Sequence, residues 1–223
     1  MRAEERQLRA VVIGAAPEPR GAELIGKDDF IAVCDGGLEY AQSQELSFEM
    51  LVGDFDSYTG ALPEGGFELI RLPCEKDDTD IGFAVKTLLA RGFREFLLLG
   101  AAGGRLDHTL GNLAVAGGVA EAGGICTICG AAPGEMIYVF RDRALELTPA
   151  PGAYVSLFPL GAKTTAVTLE GFKYPLRHGR LSALSTLGVS NEFAPAGSPD
   201  ARVPARITAE RGTVVAVVNY PVS

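Results

Sequence analysis

Apolar positions over the first 140 residues fall into two alternating rhythms. One is the continuous run bounded by Gly or Asp: "RAVVIGA" (9–15), "DFIAVCDGG" (29–37), "MLVGD" (50–54) and "EFLLLGA" (95–101). Runs of this length predict strands buried on both faces. "GICTICG" (124–130) and "EMIYVF" (135–140) predict two more. The other rhythm is helical. Residues 78–92 place Ile81, Val85, Leu88 and Leu89 on one face, with Asp78 or Thr79 able to cap the start and Gly92 able to close the end. Residues 38–46 and 106–123 also read as helices, the second weakened by its glycines. Strand–helix alternation with fully apolar strands predicts an α/β fold on a parallel sheet.

Beyond about residue 140 the texture changes. Apolar stretches become short and β-rich, as in "AYVSLFPL", "TTAVTLEGF", "VPARITA" and "GTVVAVVNY", and prolines become frequent. No helical period runs through this part. "AERGT" (209–213) predicts a hairpin with Gly212 at its turn. The expected organisation is an α/β domain of residues 1–138 and a smaller all-β domain of residues 139–223, with the boundary between about 135 and 145.

Composition narrows the partners. The chain has 223 residues, 47% of them hydrophobic and 22% charged, which is globular rather than disordered. A net charge of −8 makes nucleic acid and anionic membrane poor partners and predicts that any polyanionic ligand arrives with a cation. The first twenty residues are charged and carry one apolar run of four. A secretory core needs roughly 7–15 apolar residues and a membrane helix about 20, so the expectation is a cytoplasmic protein. Four cysteines (Cys34, Cys74, Cys126 and Cys129) are too few and too scattered for a disulfide framework. Cys126 and Cys129 form a C-x-x-C on an expected strand, where positions i and i+3 face opposite ways, so core packing is favoured over a metal site.

Candidate chemistry gathers where the predicted strands end. In open parallel sheets, ligands collect at the carboxyl ends of strands. "CDGG", "GDFDS" and "GAAGGRLDH" all follow such ends, which would turn Asp35, Asp54, Asp56, Arg105 and Asp107 toward one crevice. Asp54 and Asp56 lie at i and i+2, on the same side of an extended segment. Like charges that close need a cation, and carboxylates with open positions suit Mg²⁺, which shares its sphere with phosphates. Asp77 and Asp80 can add ligands from the start of the next helix. The same aspartates also read as turn formers and helix caps. "GAAGGRLDH" is a glycine-rich strand-to-helix turn whose backbone can approach phosphate, with Arg105 as a bidentate clamp. Residue chemistry alone therefore predicts a Mg²⁺-dependent phosphoryl-type enzyme and leaves its substrate open.

The ordered set "DGG" (35–37), "GDFDS" (53–57), "DDTD" (77–80), "GGRLDHTLGN" (103–112) and "LGVSNEF" (187–193), with "EGFKYPL" (170–176), resembles the thiamine pyrophosphokinase family over nearly the whole chain. The resemblance implies a Rossmann-like α/β domain joined to a β-sandwich, working as a homodimer with composite active sites. It implies transfer of the pyrophosphoryl group of ATP to the hydroxyethyl oxygen of thiamine, with Mg²⁺, or Mn²⁺ in its place, as the cofactor. By position, Asp54, Asp56 and Asp80 resemble the metal-binding carboxylates, with Asp77 close by. Asp35, Gly36, Gly103, Gly104, Arg105, Asp107 and Asn112 match the ATP-handling motifs. Ser190 and Asn191 match the segment near the thiamine pyrimidine ring. The chain has no tryptophan, so an aromatic partner for thiamine must be Tyr174, Phe172, Phe193 or another Phe or Tyr. Two other functions compete. A phosphatase using Asp54 as nucleophile would want Thr or Val at position 58, where Tyr58 stands. A nucleotide- or thiamine-binding module without turnover would need fewer carboxylates.

Overall fold

The computed structural model describes residues 8–55, 62–63, 65–75 and 77–222. Asp56, expected to share a crevice with Asp54, lies outside them. The chain forms two compact units, one of residues 1–115 and 128–131, the other of residues 116–127 and 132–223.

The apolar runs of the first unit become strands β1 (Arg9–Ile13), β2 (Phe30–Cys34), β3 (Met50–Gly53), β4 (Glu68–Arg71) and β5 (Glu95–Leu99). They lie in the order β5-β1-β2-β3-β4, and each pairing is parallel. Residues 10–13, 32–33, 50–52 and 98–99 are fully buried, as continuous apolar strands require. Helices α1 (Gly37–Ser43) and α2 (Asp80–Ala90) return the chain between strands, and α3 (Leu106–Glu121) leaves the unit at its C-terminal end. Val11, Ile13, Val33, Leu51, Leu97 and Leu99 pack against Leu38 and Ala41 of α1 in one core. Fully burying one such side chain is worth about 2 kcal/mol.

α2 starts and stops where its sequence says. Thr79 Oγ1 accepts the Gly82 N–H at 3.0 Å, and Gly92, at φ +98°, carries the chain away from the last turn. Strand β4 has no counterpart in the sequence pattern: "ELIR" alternates nothing, and three of its four residues are exposed. It forms because β3 offers an open edge, with Met50 opposite Glu68.

Strand β6 (Ile125–Cys129) bridges the division between the units. Its cysteines form no disulfide, Cys126 being buried and Cys129 half-buried. The second unit is all β. Strands β7 (Glu135–Arg141), β9 (Tyr154–Leu160), β12 (Asn191–Glu192) and β14 (Thr213–Asn219) lie in the order β12-β9-β14-β7. Strands β8 (Ala144–Leu147), β10 (Thr164–Glu170), β11 (Leu176–Ser182) and β13 (Ala205–Arg211) form a four-stranded sheet ordered β11-β10-β13-β8. All these pairings are antiparallel. Phe140, Val155, Leu157 and Val214 from one layer pack against Leu147, Val167, Leu181 and Ile207 from the other, making a sandwich core.

The expected hairpin at 209–213 is not formed. β13 pairs with β10 and β8, whereas β14 pairs with β7 and β9. Gly212, at φ +97° and held by Asp142 Oδ1 at 2.7 Å, instead carries the chain from one sheet to the other. A positive-φ glycine between two β-rich runs serves a corner as well as a hairpin. Among the described residues, no helix is long and apolar enough to cross a membrane.

Candidate functional site

Three expected carboxylates meet in the first unit. Asp35 follows the last residue of β2 with φ at +37°, a strained setting for a non-glycine residue. Its backbone is fixed on both sides: Asp35 N–H donates to Val52 O at 2.8 Å, and Leu38 N–H donates to Asp35 O at 3.0 Å. Gly53, at the end of β3, leaves the room this needs, because a Cβ there would lie 3.1 Å from Asp35 Cα. The Asp35 carboxyl is pushed above the usual carboxylate range, first by burial and then by the charges of Asp80 and Asp54. Backbone N–H groups of Gly36 and Phe55 partly offset that shift. Asp35 Oδ1 is buried with no hydrogen-bond partner. The same crowd, after burial, pushes the neighbouring Cys34 thiol up, so Cys34 is an inert core thiol.

Asp80 reaches this group as the first residue of α2. The helix start comes close to β1 because Gly14 follows that strand, and a Cβ on Gly14 would lie 2.5 Å from Ile81 Cδ1. Asp54 directly follows β3 and is half-buried. Asp77 is exposed. Its neighbour Asp78 pairs with Lys86 at 2.5 Å. Among the described residues, no three carboxylate, imidazole or thiol groups close on one point as a complete metal-ligand set.

The glycine-rich turn after β5 has positive φ at Gly100, Gly103 and Gly104. Arg105 forks onto Asp107, with Nε 3.1 Å from Oδ1 and Nη2 2.5 Å from Oδ2. Both side chains are well exposed. The pairing holds the Asp107 carboxyl below the usual range and raises the Arg105 guanidinium. Gly36 is the N-cap of α1, and a Cβ on it would lie 2.9 Å from Ala15 Cβ. Asn112 is buried, its amide donating to Ala101 O at 2.7 Å. The loop-holding role of Asn112 and of its neighbour Thr109 carries no signal in a single sequence.

In the second unit, Asn191 joins Tyr174 by two bonds. Tyr174 N–H donates to Asn191 Oδ1 at 3.1 Å, and Asn191 Nδ2 donates to Tyr174 O at 2.9 Å. Asn191 is buried, whereas the Tyr174 ring is 58% exposed. Ser190 stands beside them at φ +58°, its N–H donating to Ser156 Oγ at 3.0 Å. Phe172 and Phe193 stack on each other 5.5 Å apart within the sandwich core. Of the three named aromatic candidates for a thiamine contact, Tyr174 alone presents an open ring.

Crowded carboxylates at parallel-strand ends, a glycine-rich turn bearing an arginine, and a following β-sandwich define a phosphoryl-transfer class of α/β protein. Residues 22–122 match the family model described as "Thiamin pyrophosphokinase, catalytic domain", and residues 144–202 match "Thiamin pyrophosphokinase, vitamin B1 binding domain". The chain belongs to the thiamine pyrophosphokinase family. It is 29% identical over 200 residues to thiamine pyrophosphokinase of Bacillus subtilis, covering 82% of this chain and 88% of that one. The crystal structure of thiamin pyrophosphokinase from Geobacillus thermodenitrificans superposes with a TM-score of 0.77 at 26% identity, covering 97% of this chain and 99% of that one. The Bacillus subtilis crystal structure gives 0.80 at 21% identity over 96% and 100%, a likeness of fold.

Proposed function

We propose that the protein transfers the pyrophosphoryl group of ATP to the hydroxyethyl oxygen of thiamine, giving thiamine diphosphate and AMP. The observation that carries this reading is the tandem match to a catalytic and a vitamin B1-binding family model, with Asp35, Asp54 and Asp80 gathered inside the first of them. In the reaction the thiamine alcohol attacks the β-phosphorus in line. The bond from that phosphorus to the α,β-bridging oxygen breaks, and the oxygen leaves with AMP. Arg105 clamps the phosphates, and the turn of Gly103 and Gly104 lets backbone approach them. One aspartate of the crevice orients the alcohol and takes its proton. In the β unit, Tyr174 offers its ring to thiamine, Asn191 fixes the backbone beneath it, and Ser190 lines the same segment.

Asp54, Asp56 and Asp80 would hold Mg²⁺, with Asp77 nearby. The fit is chemical: the Asp80 and Asp54 carboxyls crowd Asp35 and raise its proton affinity, and one Asp35 oxygen is buried with nothing to bond. Mg²⁺, when bound, offsets charge on the phosphates. We further propose a homodimer in which the β unit of one subunit completes the site of the other.

The test is nucleotide product in the presence and absence of thiamine. Thiamine-dependent AMP release is the expected result. Inorganic phosphate without thiamine would indicate a phosphatase, and no product a binding module.

A further inference from the structure

The turn that carries Arg105 is not held by its own backbone alone. Three of its residues have φ above +50°: Gly100 at +59°, Gly103 at +98° and Gly104 at +64°. Such a path has few hydrogen bonds of its own, and two side chains of α3 reach back to supply them. Asn112, 6% exposed, donates Nδ2 to Ala101 O at 2.7 Å. Thr109 Oγ1 accepts the Gly103 N–H at 3.2 Å and donates to Arg105 O at 3.4 Å. The turn is also packed from outside. A Cβ on Gly103 would lie 2.9 Å from Ala131 Cβ, and one on Gly104 2.8 Å from Pro17 Cδ.

We propose that Thr109 and Asn112 are positioning residues for the transfer reaction. They fix residues 101–105 against α3 and so set the root of the Arg105 side chain. The proposal rests on the pyrophosphoryl-transfer reading above. It gives Asn112 a different part from the nucleotide contact that its place in the motif implies. Its side chain is buried and its Nδ2 bonds the Ala101 carbonyl, so it acts through the loop. An unmet carbonyl at that depth would be costly, which makes the bond a firm anchor. Thr109 has the more telling chemistry, because one hydroxyl serves both the middle and the end of the turn. Phosphoryl transfer is mostly a matter of placement, so a small drift of Arg105 weighs on turnover.

The test uses the full chain with Thr109→Val, which keeps the branched shape and removes the hydroxyl, and Thr109→Ser, which keeps the hydroxyl. Hydrogen exchange at the Gly103 amide should accelerate at least tenfold in Thr109→Val and return to the wild-type rate in Thr109→Ser. Turnover should fall about tenfold in Thr109→Val, with the thiamine KM within about twofold of wild type, and recover in Thr109→Ser. Asn112→Leu, which has no donor for Ala101 O, should raise exchange across residues 101–105 and lower turnover in the same way. Unchanged Gly103 exchange in Thr109→Val would overturn the proposal. So would equal turnover losses in the Val and Ser variants, or a loss confined to thiamine KM. Exchange needs no turnover: a wild-type protein that makes no AMP sinks the activity assignment, while the exchange data still decide whether the clamp exists.

Discussion

Asp35, just past the end of β2, and Glu210, within β13, are carboxylates of different units, and they titrate in opposite directions. Asp35 sits above the usual carboxylate range because burial and two like charges oppose its ionisation. Glu210 sits below it because the Thr168 hydroxyl and the His178 ring both bond it, the latter at 2.8 Å. The β unit settles its carboxylate with partners. The α/β unit leaves its own crowded, with a strained φ and a buried oxygen that nothing bonds. A protein that tolerates such a cost at one place, while satisfying the same chemistry elsewhere, marks that place for a ligand. The second unit presents instead a tyrosine with an open ring, Tyr174, whose backbone Asn191 bonds.

Asp54→Asn attacks that contrast most directly and carries the largest effect. It keeps the size of the side chain but removes one charge from the crowd and one expected cation ligand. Turnover should fall at least ~100-fold with the fold intact. Initial rates at limiting Mg²⁺, beside a melting curve, check it, and a near-normal rate would remove Asp54 from the machinery.

Asp35→Asn should act on stability with a sign that most polar substitutions lack. The folded pKa of Asp35 is raised, so well below the ordinary carboxylate range both states are protonated and the group has no effect. As pH rises through that range the unfolded chain ionises first, and a penalty on the folded state builds. Removing the charge should therefore raise the melting temperature at pH 7 and leave it nearly unchanged near pH 3, measured without divalent cations, while turnover drops. A lower melting temperature at pH 7 would mean that Asp35 is satisfied after all.

Glu210→Gln should do the reverse, and weakly. A depressed folded pKa contributes stability above the unfolded value, and that contribution is lost as pH falls through the folded one. The variant should melt slightly below wild type near neutrality and match it in acid. Its site is solvent-exposed, so the difference should shrink in high salt. A stabilised Glu210→Gln would erase the contrast between the units.

How much of this was legible in the sequence varies with the physics. β1, β2, β3 and β5 were plain, because a strand buried on both faces must be apolar throughout. β4 was not, since Glu68 and Arg71 are exposed and its pairing is dictated by β3 rather than by its own residues. The turn at Gly212 was visible but its partner strands were not, because positive φ specifies a bend and not what the chain pairs with afterwards. At the site, the gathering of Asp35, Asp54 and Asp80 followed from strand ends and a helix start. The tasks of Asn112 and Asn191 did not. Both amides bond backbone far along the chain, Asn112 to Ala101 and Asn191 to Tyr174, and only the fold brings those carbonyls within reach.

The proposed function turns on attack by the thiamine alcohol on the β-phosphorus of ATP. Thiamine labelled with ¹⁸O in its hydroxyethyl group, turned over with ATP and Mg²⁺, tests it in one experiment by mass spectrometry of both products. The expected result is one AMP for each thiamine diphosphate, with the label retained in thiamine diphosphate. ADP as the nucleotide product, or label missing from the diphosphate ester, would contradict it.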